Sequence, residues 1–270
     1  MSNEFTTIRY KCEDRVGRLT LSRPEKRNAM NPTMLEELRA LGGELADDRE
    51  LRCLIVAGEG SSFSAGLDVV EGLAGVISDI AERTEDEDAL AAGATVAGSF
   101  NWIPALGCPS VAAVRGHALG GGLQIALACD FRVLAADSTV GLVESRYGLL
   151  PDMGATVRLP RIVGESRARE LILLGEIIDA DTALRIGLAN HVVPDEKLDA
   201  AALELAHRLA AQPPIAVRWA RRAIDAAWHS DCRESFEIGL EGQRHCLASE
   251  DFREARRTLL EGRSPSWMGR

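Results

Sequence analysis

Two short runs of small residues and two carboxylates carry the chemistry this sequence can offer. The first run is Ser61-Ser62-Phe63-Ser64-Ala65-Gly66-Leu67-Asp68-Val69, and the second is Gly116-His117-Ala118-Leu119-Gly120-Gly121-Gly122-Leu123-Gln124. Small residues at 64 to 66 let the main chain turn sharply with its N–H groups outward, and Asp68 is placed to cap a following short helix. Three consecutive glycines cost roughly 1 kcal/mol each in an ordinary helix, relative to alanine. They make sense where another backbone or a ligand approaches closely. If they open a helix, their uncapped N–H groups lie at its positive end. Such donors suit a carbonyl oxygen that gains negative charge during reaction, and an acyl thioester losing its α-proton is a natural candidate. Tight helix packing against a sheet explains the same glycines equally well. Neither run has the GxxxxGK[ST] or GxGxxG arrangement of a phosphate loop.

Glu144 lies in the apolar stretch Val140-Gly141-Leu142-Val143-Glu144-Ser145-Arg146-Tyr147-Gly148, and Asp152 follows Pro151 in the next turn. A carboxylate set among Val143, Leu149, Leu150 and Met153 would have its pKa raised by desolvation, as a proton shuttle working near neutrality requires. Two neighbouring carboxyls would also push their pKa values apart. The plainer readings are that Asp152 caps the helix beginning near Gly154 and that Glu144 pairs with Arg146 or Arg158 at a surface. Spacing alone does not choose among them.

The elements that must position these groups alternate. Thr6 to Lys11 and Val16 to Leu21 read as a hairpin turning near Asp14, and Pro32 to Leu45 as a helix with Leu35, Leu38, Leu41 and Leu45 on one face. Leu51 to Ala57, Ser110 to Val114 and Phe131 to Ala135 read as buried strands, so the pattern predicts an α/β core with crossover connections. Asp79 to Ala92, rich in acids, reads as a solvated helix or mobile loop. Beyond Pro160 strand signals fade. Helices are expected over Ser166 to Leu174, Asp179 to Gly187, Lys197 to Gln212, Pro214 to His229, Arg233 to Leu247 and Ser249 to Glu261. The expected plan is a core over 1–195 and a helical region over 196–270. The apolar stripe of that region (Leu198, Leu205, Leu209, Ala216, Ala220, Ile224) needs either the core or another subunit.

Composition narrows the function. The 270 residues include 31 Lys plus Arg against 41 Asp plus Glu, a net charge of -10. This balance argues against nucleic acid and anionic membranes as partners, which reward a basic footprint, but allows a local basic patch. No apolar stretch reaches the length of a bilayer span, and the first residues carry no signal-like segment. The six cysteines, scattered without a CxxC pair, read as reduced thiols of an intracellular, cytoplasmic protein. Cys108 and Cys129 sit in apolar runs without an adjacent histidine, against a thiolate nucleophile. The five histidines lack metal-ligand spacing, so no metal is expected.

Taken together, these segments resemble the crotonase superfamily, the enoyl-CoA hydratase/isomerase family. The likeness runs from LTLSRPEKRNAM at 19–30 through FSAGLDV at 63–69, HALGGGLQIALACD at 117–130 and LVESRYGLLPDMGATVRLPRIVG at 142–164 to ASEDFREARRTLLEGRSP at 248–265. It implies a spiral of ββα units, with a helical C-terminal trimerisation region and assembly as a homotrimer or a dimer of trimers. It further implies an oxyanion hole made by the N–H groups of Ala65 and Gly121. Coenzyme A, as part of the substrate and the sole cofactor group expected, would lie with its phosphates near Lys26 and Arg27. Its adenine and pantetheine would lie near Ala65, Leu67, Asp68 and Val69, with Phe252 and Arg256 closing the site from this or a neighbouring subunit. Typical hydratases of the family carry two glutamates. Glu144 falls on one, but the other position is Gln124, which cannot exchange a proton at neutral pH. Asp152 matches the place where several double-bond isomerases of the family carry an acid. The resemblance therefore implies an acyl-CoA isomerase, with an enoyl-CoA hydratase or a low-turnover acyl-CoA-binding protein as alternatives. The stretch from Gly72 to Trp102 would form the far end of the acyl pocket, as a lid or as plain surface.

Overall fold

Asp14 and Arg15, with φ of 47° and 65°, turn the chain between β1 (Ile8–Glu13) and β2 (Val16–Leu21), which pair antiparallel. In the computed structural model, which describes residues 5–71 and 98–270, this hairpin forms one edge of a larger sheet. The acidic segment expected over Asp79 to Ala92 lies outside the described residues.

Helix α1 (Pro32–Leu45) has the bounds its leucine rhythm predicts. The Asn31 side chain accepts from the Met34 N–H, Pro32 sits where its missing N–H costs nothing, and Met34, Leu35, Leu38, Leu41 and Leu45 are buried. The helix carries the chain back to β3 (Cys53–Gly58), parallel to β2. Then β4 (Ser110–Val114), β5 (His117–Leu119), α2 (Gly121–Ala128), β6 (Phe131–Ala135) and β7 (Thr139–Gly141) follow. Helices α3 (Ala155–Val163) and α4 (Glu165–Leu174) come next, then β8 (Ile177–Asp179), α5 (Ala180–Arg185) and β9 (His191–Val193). The larger sheet has the order β1-β2-β3-β4-β6-β9 and the smaller β5-β7-β8. From β4 to β7 successive strands alternate between the large sheet and the small one, so the chain advances as a spiral.

The central strands β3, β4 and β6 are buried on both faces, which is why they read as largely apolar runs. Leu54, Val56, Ala112, Val114 and Leu134 face the main core with α1. Cys53, Ile55, Ala57, Val111, Ala113, Val133 and Ala135 face Leu198, Ala202 and Ala206 of α6 (Leu198–Ala210). Helix α6 therefore packs with the core. In α7 (Pro214–Ala226) no residue is buried, and in α8 (Cys232–Ala248) Gly242 alone is; α9 (Glu250–Glu261) follows. Of the predicted stripe, the α6 leucines pack on the sheet, whereas Ile224 is exposed. The sequence pattern predicts neither β8 nor β9. Each spans three residues, too few to show an alternation, and each is defined by its partner, β7 or β6. No helix among the described residues is long and apolar enough to cross a membrane.

Candidate functional site

The first small-residue run is zipped onto β5 and onto the segment before α1. Phe63 and Ser64 N–H donate to the carbonyls of Arg115 and His117, and Leu119 N–H donates to Ser64 O. Ala65 N–H donates to Arg27 O at 2.9 Å, Gly66 N–H to Ser64 Oγ at 3.1 Å, and Asp68 N–H to Met30 O at 2.8 Å. From 63 to 68, the Leu67 N–H alone has no acceptor among the described residues. Gly66 O and Asp68 N–H both bond to Met30, so the Leu67 amide between them faces the opposite side, toward the second run. Ala65 is thus not an oxyanion donor, because its N–H is spent inside the fold; the geometry assigns that place to Leu67. A motif match could not supply this two-residue difference, since it depends on which carbonyls the Arg27–Met30 segment presents.

The second run opens α2, as a glycine-rich helix start should. Gly120, with φ of 52°, donates its N–H to Gly141 O and accepts from Gln124 N–H as the first helical bond. Gly121 is the first helical residue, with its N–H among those the helix leaves unpaired. A Cβ on Gly121 would stand 3.8 Å from the Leu67 nitrogen, and one on Gly66 would stand 3.4 Å from the Gly121 nitrogen. The two amides therefore converge. Close approach explains the next glycine: a Cβ on Gly122 would meet Ser64 O at 2.4 Å. Packing and chemistry both need this triplet, at different positions in it.

These amides open into a pocket of ≈ 500 Å³ lined by Leu67, Gly121, Gln124, Glu144, Leu150 and Asp152 among others. Gln124 is 1% exposed. Its Oε1 accepts from Ala155 N–H at 3.2 Å at the start of α3, which orients the amide so that Nε2 donates to Glu144 Oε1 at 2.9 Å. Glu144 Oε2 is buried and has no hydrogen-bond partner among the described residues. Burial pushes the Glu144 carboxyl above its ordinary pKa; the Gln124 hydrogen bond opposes this and the Asp152 charge adds to it. Pairing of Glu144 with Arg146 or Arg158 does not occur: Arg158 instead bonds to Asn101 and Met153 O. Asp152 is exposed at the pocket rim, and it does not cap α3, whose N-cap is Gly154.

Asp68 is 6% exposed and does not line the pocket. Its carboxylate pairs with Arg23 at 3.1 Å and accepts from Val70 and Glu71 N–H. It caps the turn, as its position predicts, and its place near adenine or pantetheine is corrected to that structural role. Ala65, Leu67 and Val69 line the pocket. Lys26 and Arg27 are exposed on the turn that bonds to Ala65, and neither has a carboxylate partner among the described residues. Phe252 and Arg256 are exposed on α9 and do not line this chain's pocket. Burial pushes the Cys108 and Cys129 thiols up to about 12, far from a thiolate at neutral pH. Among the described residues no group of three or more His, Cys, Asp or Glu could hold a metal ion.

The family model described as Enoyl-CoA hydratase/isomerase matches residues 11–270. The Crotonyl-CoA hydratase of Syntrophomonas wolfei is 32% identical over 267 residues, 98% of this chain and 99% of that protein. The Short-chain-enoyl-CoA hydratase of Clostridium acetobutylicum is 33% identical over 263 residues, covering 96% and 97%. The crystal structure of an Enoyl-CoA Hydratase from Bacillus anthracis superposes with a TM-score of 0.89 at 31% identity, covering 98% of this chain and 100% of that one. The crotonase-like α/β fold with a helical C-terminal region is therefore that of this chain.

Proposed function

This chain belongs to the enoyl-CoA hydratase/isomerase family, and on that premise we propose that it shifts the double bond of an acyl-CoA by proton transfer through Glu144. The observation that carries the reading is the Glu144 side chain, fixed at Oε1 by Gln124 and left with a buried Oε2 that has no partner among the described residues. One carboxyl is enough for this reaction. With a 3-enoyl thioester oxygen on the Leu67 and Gly121 N–H groups, Oε2 takes a proton from C2. The electron pair moves into the carbonyl, giving a dienolate whose charge the two amides hold. When the pair returns, the double bond stands between C2 and C3, and Glu144 gives its proton to C4. Nothing is gained or lost overall. A carboxyl whose pKa lies above the ordinary range both takes and returns a proton more evenly near neutrality.

Lys26 and Arg27 would supply local positive charge for the coenzyme A phosphates despite the chain's surplus of acids. Phe252 and Arg256 would close the site from a neighbouring subunit of a homotrimer or a dimer of trimers. The exposed Phe236, Leu240, Leu259 and Leu260 on α8 and α9 favour such an assembly.

The second reading, water addition to a trans-2-enoyl-CoA, is favoured by the name hydratase borne by relatives at 32 and 33% identity. There Glu144 would activate the water and the remaining Gln124 amide hydrogen would hold it. Offering one preparation both a trans-2-enoyl-CoA and a 3-enoyl-CoA separates the readings. Isomerisation should be the faster; hydration at least as fast overturns the proposal, as does tight binding of both without turnover.

A further inference from the structure

Far from the pocket, a second buried group lacks a partner. Arg52, just before β3, is 6% exposed, and its Nε and Nη1 have no hydrogen-bond acceptor among the described residues. Among the described residues Nη2 donates to Trp267 O alone, at 3.4 Å. The C-terminal tail lies against this guanidinium: a Cβ on Gly269 would stand 3.2 Å from Nη2. Beside it is a cavity of ≈ 10 Å³ whose lining includes Arg49, Arg52 and Arg218, together with Gln212, Pro214 and Val217, and contains no carboxylate. Pro214 and Val217 belong to the first turn of α7, so the positive end of a 13-residue helix faces the same place.

We propose that a small monovalent anion of the halide class, chloride under ordinary conditions, binds between Arg49, Arg52 and Arg218 and fastens α7 and the C-terminal tail to the sheet. Three features select this ligand. Guanidinium groups only donate, so the occupant must accept from several cations at once. The cavity, at ≈ 10 Å³, suits a small guest. Asp251 and Glu50 act on Arg52 through their charge, and among the described residues neither bonds to it: Asp251 accepts from the Met268 and Gly269 N–H groups, and Glu50 pairs with Arg15. A buried guanidinium with no hydrogen-bonded anion is costly, and burial with the Arg15 and Arg218 charges lowers the Arg52 pKa against the opposing charges of Asp251 and Glu50.

The test is thermal melting of the whole protein at fixed ionic strength, replacing gluconate, too large for the site, with chloride or bromide. The expected result is a saturable rise of about 2 to 4 °C in both halides, lost in Arg52→Met. Should that variant fail to fold, crystals of the unaltered protein soaked in bromide decide the matter through an anomalous peak among the three arginines. Equal melting in chloride and gluconate overturns the proposal, and so does density there without an anomalous signal.

Discussion

Glu144 and Asp152 line one pocket, but the two sides of it are built differently. Around Glu144 the wall is dry: Gln124 holds one oxygen, Val143 and the Gly120 backbone crowd in, and a Cβ on Gly120 would stand 3.3 Å from Oε1. Around Asp152 the wall is a solvent-facing turn before α3, with Tyr147 and Leu150 exposed beside it. The difference shows that apolar neighbours in sequence do not by themselves desolvate a carboxylate. What desolvates Glu144 is the second turn, brought in by β5 and β7.

The largest effect should come from the dry side. Glu144→Gln keeps the shape and removes the proton carrier, so isomerisation should fall by about 10³-fold. Stability should move the other way. The folded-state pKa of Glu144 is raised by burial, so its favourable contribution is present below the unfolded pKa and is lost as pH rises through the folded one. Melting curves should therefore show Glu144→Gln more stable than the parent at pH 8, with the gap closing toward pH 4. Catalysis needs the carboxylate, so the acid limb of kcat/KM should lie above the range of an ordinary glutamate.

The oxyanion donors come next. Replacing the Leu67 amide by an ester deletes its N–H without altering the side chain, and kcat should fall by about 10²-fold. The same replacement at Ala65 should lower the melting temperature through the lost bond to Arg27 O, with kcat changing by less than about 5-fold. Reversed results would restore Ala65 as the donor.

A smaller change sharpens the contrast between one acid and two. Gln124→Glu sets a second carboxyl beside Glu144, where the Gln124 amide now stands 2.9 Å away, while still accepting from Ala155 N–H. The ratio of hydration to isomerisation should rise by about 10-fold. Asp152→Asn on the exposed rim should have the smallest effect among the side-chain variants, less than about 10-fold in kcat. A larger loss would make the rim acid a second proton carrier.

Much of the fold and of the site is legible in the sequence, and the misses share a cause. Helix α1 and strands β4 and β6 follow their patterns closely because local rhythm and tertiary burial agree there. The unpaired N–H of Gly121 is legible because any helix start leaves its first N–H groups unpaired. The first run obeys no such rule. Its amides are sorted by carbonyls from residues 27, 30, 115 and 117, distant in sequence, and so, among the described residues, the free N–H falls on Leu67 instead of Ala65. Likeness draws Asp68 to the ligand, while its buried partner Arg23 lies 45 residues away. Likewise β9 is too short to announce itself and exists because β6 offers an open edge.

The most direct measurement follows a single hydrogen. A 3-enoyl-CoA carrying deuterium at C2 is turned over once in ordinary water, and the product is read by mass and NMR. If the buried oxygen of Glu144 carries the proton both ways, a measurable share of the label appears at C4 of the 2-enoyl product. Complete loss of the transferred label to water, or no turnover of the 3-enoyl thioester by a preparation that hydrates a trans-2-enoyl-CoA, would contradict it.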